Sequence, residues 1–242
     1  MKHIYTKWQR DPVDTRDHLF AAAPMALPDV IDLSPQCSAV EDQGQLGSCT
    51  GNAIVGALEC MGSKPTVDLS RLFVYYNERV TEGTVNEDAG AIIRDGIKSI
   101  AALGVCPEKA WPYNVLKFTK KPTATAYKKA LPRKITSYQR LQTLADMRHC
   151  LASGKPFVFG FSVFESFESD AVAATGLMPM PSKLDKNLGG HAVCAVGYDQ
   201  TKQLVKVRNS WGTGWGDKGY FYMPFAYITN SNLADDFWSV TL

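Results

Sequence analysis

No stretch of this 242-residue chain is apolar for anything near the roughly 18 residues that a bilayer span requires. Its opening, MKHIYTKWQRDPVDTRDHLF, lacks the apolar h-region of a secretory signal peptide, so the chain reads as cytoplasmic or as exported by another route. The Asn-x-Ser/Thr sequon is absent as well, which weakly disfavours a eukaryotic secretory protein. Charge of one sign is missing: 26 Lys and Arg against 24 Asp and Glu leave a formal +2. This excludes the strong fields that draw nucleic acid, anionic lipid or polyanionic substrates, and no membrane partner is expected. The six cysteines, at positions 37, 49, 60, 106, 150 and 194, include no C-x-x-C pair, which argues against a zinc site of that design. If one thiol is kept for chemistry, five remain and cannot all pair, so reduced, mostly buried thiols are expected rather than a disulfide framework. Neither a metal nor another cofactor is expected. What the chain does have is 45% hydrophobic residues, enough for one good-sized core or two half-cores sharing an interface.

The texture changes along the sequence. Residues 1 to 26 are polar and broken by proline, and read as an arm; its Tyr5, Trp8 and Phe20 stand among Arg10, Asp11, Arg16 and Asp17. Such aromatics are expected to pack on the protein rather than stay in water. CTGNAIVGALECM, from Cys49, is small, apolar and free of proline, and predicts a buried helix. LSRLFVYYNERV (69–80) and AGAIIRDGIKSIAALG (89–104) carry apolar residues at helical spacing, the second stopping at Gly104. KFTKKPTATAYKKALPRK is basic and poor in large apolar residues; it reads as a solvated connector between subdomains, or else as an anion-binding patch. Then KPFVFGFSV, HAVCAVGYD, QLVKVRNSW and GYFYMPF predict an antiparallel sheet. Helices first and strands second predict an α+β fold.

Cys49 follows the glycine-rich DQGQLGS, and the question is whether it is a buried sulfur or a nucleophile. Of the four histidines, His3 and His18 lie in the arm and His149 in ADMRHC; only His191, in LGGHAVCAVGYD, sits at a strand end with an open approach. In VRNSWGTGWGDKGYFYM, Asn209 ends a strand and Trp211 follows two positions later, where an indole can shield an imidazole–amide hydrogen bond from water. The same segment taken alone is a tight turn. It is not a nucleotide loop, since GTGWGDKG lacks the G-x-G-x-x-G spacing and leads into a strand.

Together these residues resemble a papain-family cysteine peptidase of the short bacterial-like kind. Gln43, Gly44, Gly47, Ser48 and Cys49 match the family's nucleophile segment. His191 matches its histidine, and Asn209, Ser210, Trp211, Gly212, Trp215 and Gly216 match its Asn-Ser-Trp-Gly-x-x-Trp-Gly block. The resemblance covers roughly residues 27 to 242. It implies an arm at 1–26, a mainly helical subdomain at 27–134 and a β-barrel subdomain at 135–242, with the cleft between the two. It further implies a Cys49–His191–Asn209 triad, Gln43 as an oxyanion donor, and Gly90, Ala192 and Trp211 as substrate-binding residues. Its partners are expected to be peptide or protein substrates and cystatin-like or epoxide-type inhibitors, and the chain is expected to be a monomer. The arm resembles a much-shortened propeptide, docked along the cleft or strapped to the back of the domain. Asp235 and Asp236, in a segment expected to close the base of the second upstream subsite, either face that pocket or are solvated. Two positions depart from the family. Leu46 replaces a cysteine, so no disulfide forms beside the nucleophile, and Thr50 replaces an aromatic, leaving a smaller and more polar cleft wall. A transpeptidase, or a binding or regulatory module on the same fold, is the alternative to an endopeptidase.

Overall fold

The computed structural model describes residues 8–22, 25–62 and 67–241; His3 and Tyr5 lie outside the described residues. Two short strands, β1 (Trp8–Gln9) and β2 (Val30–Asp32), precede α1 (Cys49–Met61) and α2 (Arg71–Glu82). Strand β3 (Ala91–Ile92) runs directly into α3 (Ile93–Leu103), and α4 (Ala124–Ala130) follows. Then come β4 (Ser137–Arg140), α5 (Leu144–Ala152), β5 (Phe157–Phe164), α6 (Asp170–Thr175), β6 (Asn187–Asp199), β7 (Leu204–Arg208), β8 (Tyr220–Pro224), α7 (Phe225–Ile228) and β9 (Ala234–Thr241). Helices dominate the first half and strands the second, as an α+β chain requires.

Helix α1 is buried from Cys49 to Cys60, which is why its sequence has no polar face. Its glycines let neighbours come close: a Cβ at Gly51 would meet the Arg71 carbonyl at 2.9 Å, and one at Gly56 the Arg208 side chain at 3.0 Å. Helix α2 is capped by the Ser70 hydroxyl, which accepts from the Phe73 N–H, and ends at Gly83 with φ 73°. The basic stretch read as a connector carries α4, whose Ala126 and Ala130 are buried in a cluster with Phe73, Tyr75 and Trp111 while its lysines face water. It belongs to the helical half.

The main sheet is antiparallel in the order β4-β9-β5-β6-β7-β8, with β2 laid along β6. The sheet is that of the expected α+β fold, and among the described residues its ladder stays open rather than closing into a barrel. Its two outer strands meet other partners, since Leu19 of the arm bridges Arg140 on β4 and Leu177 bridges Tyr222 on β8. Both faces of the central strands are covered. Phe157, Phe159, Phe161 and Val163 of β5, with Val193 and Ala195 of β6, enter one aromatic core, while Val158, Ala192, Cys194 and Val196 pack toward α1. A strand buried on both faces has no polar alternation, so these segments read as near-continuous apolar runs.

A bulge separates two registers of the β5–β9 ladder: Val158 pairs with Trp238 but Gly160 with Asp235, leaving Asp236 and Phe237 opposite one residue. Asp236 adopts φ 57° there, and its side chain is turned inward and buried. The arm packs against this bulge, as described below.

The thiol expectation also needs correction. Cys37 and Cys60, 23 residues apart, form a disulfide that ties the segment before the nucleophile loop to the last turn of α1. Leu46 forbids a bridge beside Cys49 but does not bear on this pair, whose adjacency comes from the chain folding back along α1. Cys49, Cys106, Cys150 and Cys194 are free and buried, as expected.

Candidate active site

The two halves meet through a short backbone ladder. Asp42 bridges Trp211, the Gln43 N–H donates to the Ser210 carbonyl at 2.9 Å, and the Gly212 N–H donates to the Glu41 carbonyl at 2.9 Å. Residues separated by more than 160 positions are thus set side by side by backbone hydrogen bonds before any side chain is considered.

Gln43 is 3% exposed and its amide is held at both ends. The Ser210 hydroxyl donates to Oε1 at 2.6 Å, and one hydrogen of Nε2 goes to the Leu46 carbonyl at 3.0 Å. The second Nε2 hydrogen remains available to a ligand. Tyr113 supports the same loop: its hydroxyl donates to the Gln43 carbonyl at 2.9 Å and lies 2.6 Å from the Ser48 hydroxyl, which also takes a bond from Asn52 Nδ2. Tyr113 is legible in the sequence only as part of GVCPEKAWPY, and nothing there signals this contact.

His191 is 1% exposed on β6, and its Nε2 lies 2.8 Å from Asn209 Oδ1. The same Oδ1 accepts the backbone N–H of Ser210 at 2.8 Å. A backbone N–H can only donate, so the atom facing both must be the amide oxygen, and His191 Nε2 must carry the proton. Nδ1 is therefore the ring's basic atom. Trp211 stacks on the imidazole with centroids 4.9 Å apart and planes 24° from parallel, and Trp215 meets Trp211 edge-on at 4.9 Å. The indole keeps water from the His191–Asn209 bond. It also leaves Asn209 Nδ2 buried with no partner among the described residues, a cost of about 1–3 kcal/mol spent on holding Oδ1 in place.

Cys49 opens α1, 1% exposed, with its sulfur facing the backbone N–H of Ala192, the residue after His191. Burial pushes its thiol up to about 12, the Ala192 N–H draws it down, and the carboxyl of Glu78 pushes it up. Burial of this kind holds a thiol in its neutral form. Glu78 is itself raised to about 8, by burial first, while the Thr50 hydroxyl that donates to it lowers it. The polar residue at position 50 thus meets a carboxyl inside the helical half.

Of the predicted substrate residues, Ala192 is buried beside Cys49, and Trp211 lies over His191. Gly90 has φ +73° and donates its N–H to the Tyr75 hydroxyl at 3.3 Å; the edge beside it is β3. That edge is taken. Trp8 and Gln9 pair in parallel with Ala91 and Ile92, and Gln9 Nε2 donates to the Ala89 carbonyl at 3.3 Å. The Trp8 indole fills a slot that exists because Gly160 and Gly190 lack side chains, since a Cβ on either would lie 1.9 or 2.7 Å from the ring. At the slot's floor, Asp236 Oδ2 accepts from Trp8 Nε1 at 3.1 Å. Asp236 is therefore not solvated but turned into this slot, which the arm occupies.

A family model of papain family cysteine proteases matches residues 27–239. An uncharacterized peptidase C1-like protein of Acanthamoeba polyphaga mimivirus is 46% identical over 85% of this chain and 70% of its own length. Cysteine proteinase 3 of Entamoeba histolytica is 28% identical over 84% of this chain and 64% of its own length, so the chain spans less than two thirds of that relative. Among solved structures, the cysteine protease xylellain of Xylella fastidiosa superposes with a TM-score of 0.93 at 42% identity, covering 100% of this chain and 97% of that one. With a match that runs through the nucleophile segment, the histidine strand and the Asn-Ser-Trp-Gly block alike, the chain belongs to the papain family of cysteine proteases.

Proposed function

We propose that the chain is a cysteine endopeptidase acting through Cys49, His191 and Asn209, with Gln43 at the oxyanion. The observation that carries this reading is the shared Asn209 oxygen, which fixes the imidazole with Nε2 protonated and Nδ1 basic. Nδ1 takes the Cys49 proton, and the thiolate adds to the scissile carbonyl of the substrate. The negative oxygen that forms is met by the second Nε2 hydrogen of Gln43 and the Cys49 backbone N–H at the helix start. Imidazolium returns its proton to the leaving amine, the thioester remains on Cys49, and a water deprotonated by the same ring releases the acyl group. Ala192 and Gly90 flank the bound peptide, Trp211 walls the ring from solvent, and an epoxide that alkylates Cys49 is expected to titrate the site.

In the same reading, residues 1–26 form an inhibitory arm. The support is that Trp8 and Gln9 use the edge of β3 beside Gly90, and that the Trp8 ring occupies the slot between Gly160 and Gly190 next to His191. The test uses peptide hydrolysis by the full chain, by Cys49→Ala and by a chain beginning at Leu27. Activity is expected to vanish in Cys49→Ala with the fold retained, and to rise on removal of the arm. Residual turnover in a folded Cys49→Ala protein would overturn the triad, and unchanged kcat/KM on truncation would make the arm a strap.

A further inference from the structure

The arm is fastened by a charge cluster that is separate from the Cys49–His191 chemistry. Arg140 on β4 stands at its centre, 3.1 Å from Asp11, 3.5 Å from Asp17, 3.3 Å from Asp235 and 2.8 Å from Asp236. Asp11 and Asp236 are nearly completely buried, at 0% and 1% side-chain exposure. Asp11 also accepts from Trp238 Nε1 at 2.7 Å and from the Arg94 backbone N–H at 3.3 Å, and its own N–H donates to Asp236 at 2.9 Å.

The arm contributes Asp11, Asp17 and Arg10; β9 contributes Asp235 and Asp236; α3 and β4 contribute Arg94, 3.0 Å from Asp17, and Arg140. Asp14 and Arg16 are bonded to each other at 2.8 Å and cancel. Lys98 and His18 line a groove with those two and Asp17, and Asp95 acts on Glu78 and Glu82 on α2. Docked, the cluster sets four carboxylates against three guanidinium groups. With the arm away, Asp235 and Asp236 face Arg94 and Arg140 in balance.

Resting on the reading of residues 1–26 as an inhibitory arm, we propose that its docking takes up a proton at the buried carboxyl pair of Asp11 in the arm and Asp236 in the slot, so that the arm is held more tightly as pH falls and released as pH rises. The buried pair supplies the cause. Burial, and then the neighbouring Asp236, raise the Asp11 carboxyl from 3.8 to about 6, and burial raises Asp236 in the same direction. A carboxyl whose value is raised in the docked state favours docking fully below its free value, near pH 4, and loses that advantage as pH passes about 6. For Asp11 alone this amounts to on the order of a hundredfold in the docking equilibrium between pH 4 and pH 7.

Hydrogen exchange of the full-length Cys49→Ala chain, read by mass spectrometry on the segment spanning residues 8–20 and corrected for the intrinsic rate at each pH, tests this directly. Protection of the arm is expected to fall by on the order of a hundredfold from pH 4 to pH 7. It is expected to stay flat when Asp11→Asn is added, and Asp236→Asn should flatten it from the other side of the pair. Protection in the Cys49→Ala chain that is constant or rises with pH overturns the proposal without reference to either variant. In the active protein, the ratio of kcat/KM between the unaltered chain and Asp11→Asn cancels the pH profile of the triad itself, and it is expected to climb as protection is lost. Protection that falls while this ratio stays level upholds the proton-linked latch and instead overturns the inhibitory role of the arm.

Discussion

Trp8→Ala separates an inhibitor from a strap, and its size can be worked from the slot. An indole buries about 200 Å² on docking, worth about 5 kcal/mol at ~25 cal/mol per Å². The alanine stub keeps part of this and an extended-chain reference overstates the rest, so a loss of about 3–4 kcal/mol is the better figure. The bond from Trp8 Nε1 to Asp236 goes as well, but Asp236 keeps the Asp11 N–H and Arg140, so no buried charge is stranded. A loss of that size moves the docking equilibrium by between two and three powers of ten. If the arm inhibits, kcat/KM of Trp8→Ala on a short peptide is expected to rise toward that of the chain beginning at Leu27. The urea midpoint should scarcely move, because the arm opens locally while the core stays folded. A lowered urea midpoint with unchanged kcat/KM would refute this reasoning and assign Trp8 to the common core.

Three other outcomes follow from the site. Gln43→Ala is expected to cut kcat by about 100- to 1,000-fold with the fold intact, and Ser210→Ala to cut it less, since it only frees an amide still held by Leu46; steady-state kinetics of both variants, with KM read separately, checks the order. Asn209→Ala is expected to retain turnover that His191→Ala lacks, because the asparagine orients a ring that does the proton transfer; equal, complete loss in a folded Asn209→Ala protein would give Asn209 another role. Reduction of Cys37–Cys60, which closes a loop of 23 residues' separation, is expected to cost about 3 kcal/mol in urea unfolding with and without reductant, and a change below 0.5 kcal/mol would mean that the packing of α1 alone sets the loop.

The sequence and the structure agree most closely where function forces particular residue types to fixed neighbours. The blocks around Cys49, His191, Asn209 and Gln43 stand out in the sequence, and the structure sets Gln43 beside Ser210 and His191 beside Asn209. The buried helix at 49–61 was legible from composition, since small residues allow close packing and leave no polar face to hide. Contacts set only by long-range register were not legible. Nothing in the arm says that Trp8 meets two glycines more than 150 positions away, and nothing in DLSPQC says that Cys37 meets Cys60. β9 was obscured for a related reason: ADDFWSVT puts two aspartates at the head of a strand, and the bulge between the Val158 and Gly160 pairings is what turns Asp236 inward there. The neighbours of each strand and what covers the outer edges were not legible, because sequence gives strands and their order of appearance but not their pairing.

The place of β9 in the sheet has a consequence for biosynthesis. Although residues 234–241 come late in the chain, β9 lies between β4 and β5, inside the sheet and not at its rim. A ribosome-bound chain made through β8 would hold Cys49, His191 and Asn209 but would lack the strand that joins β4 to the rest and supplies Asp236 and Trp238 beneath the arm. Completion of the sheet and seating of the arm therefore both wait on residues 234–241.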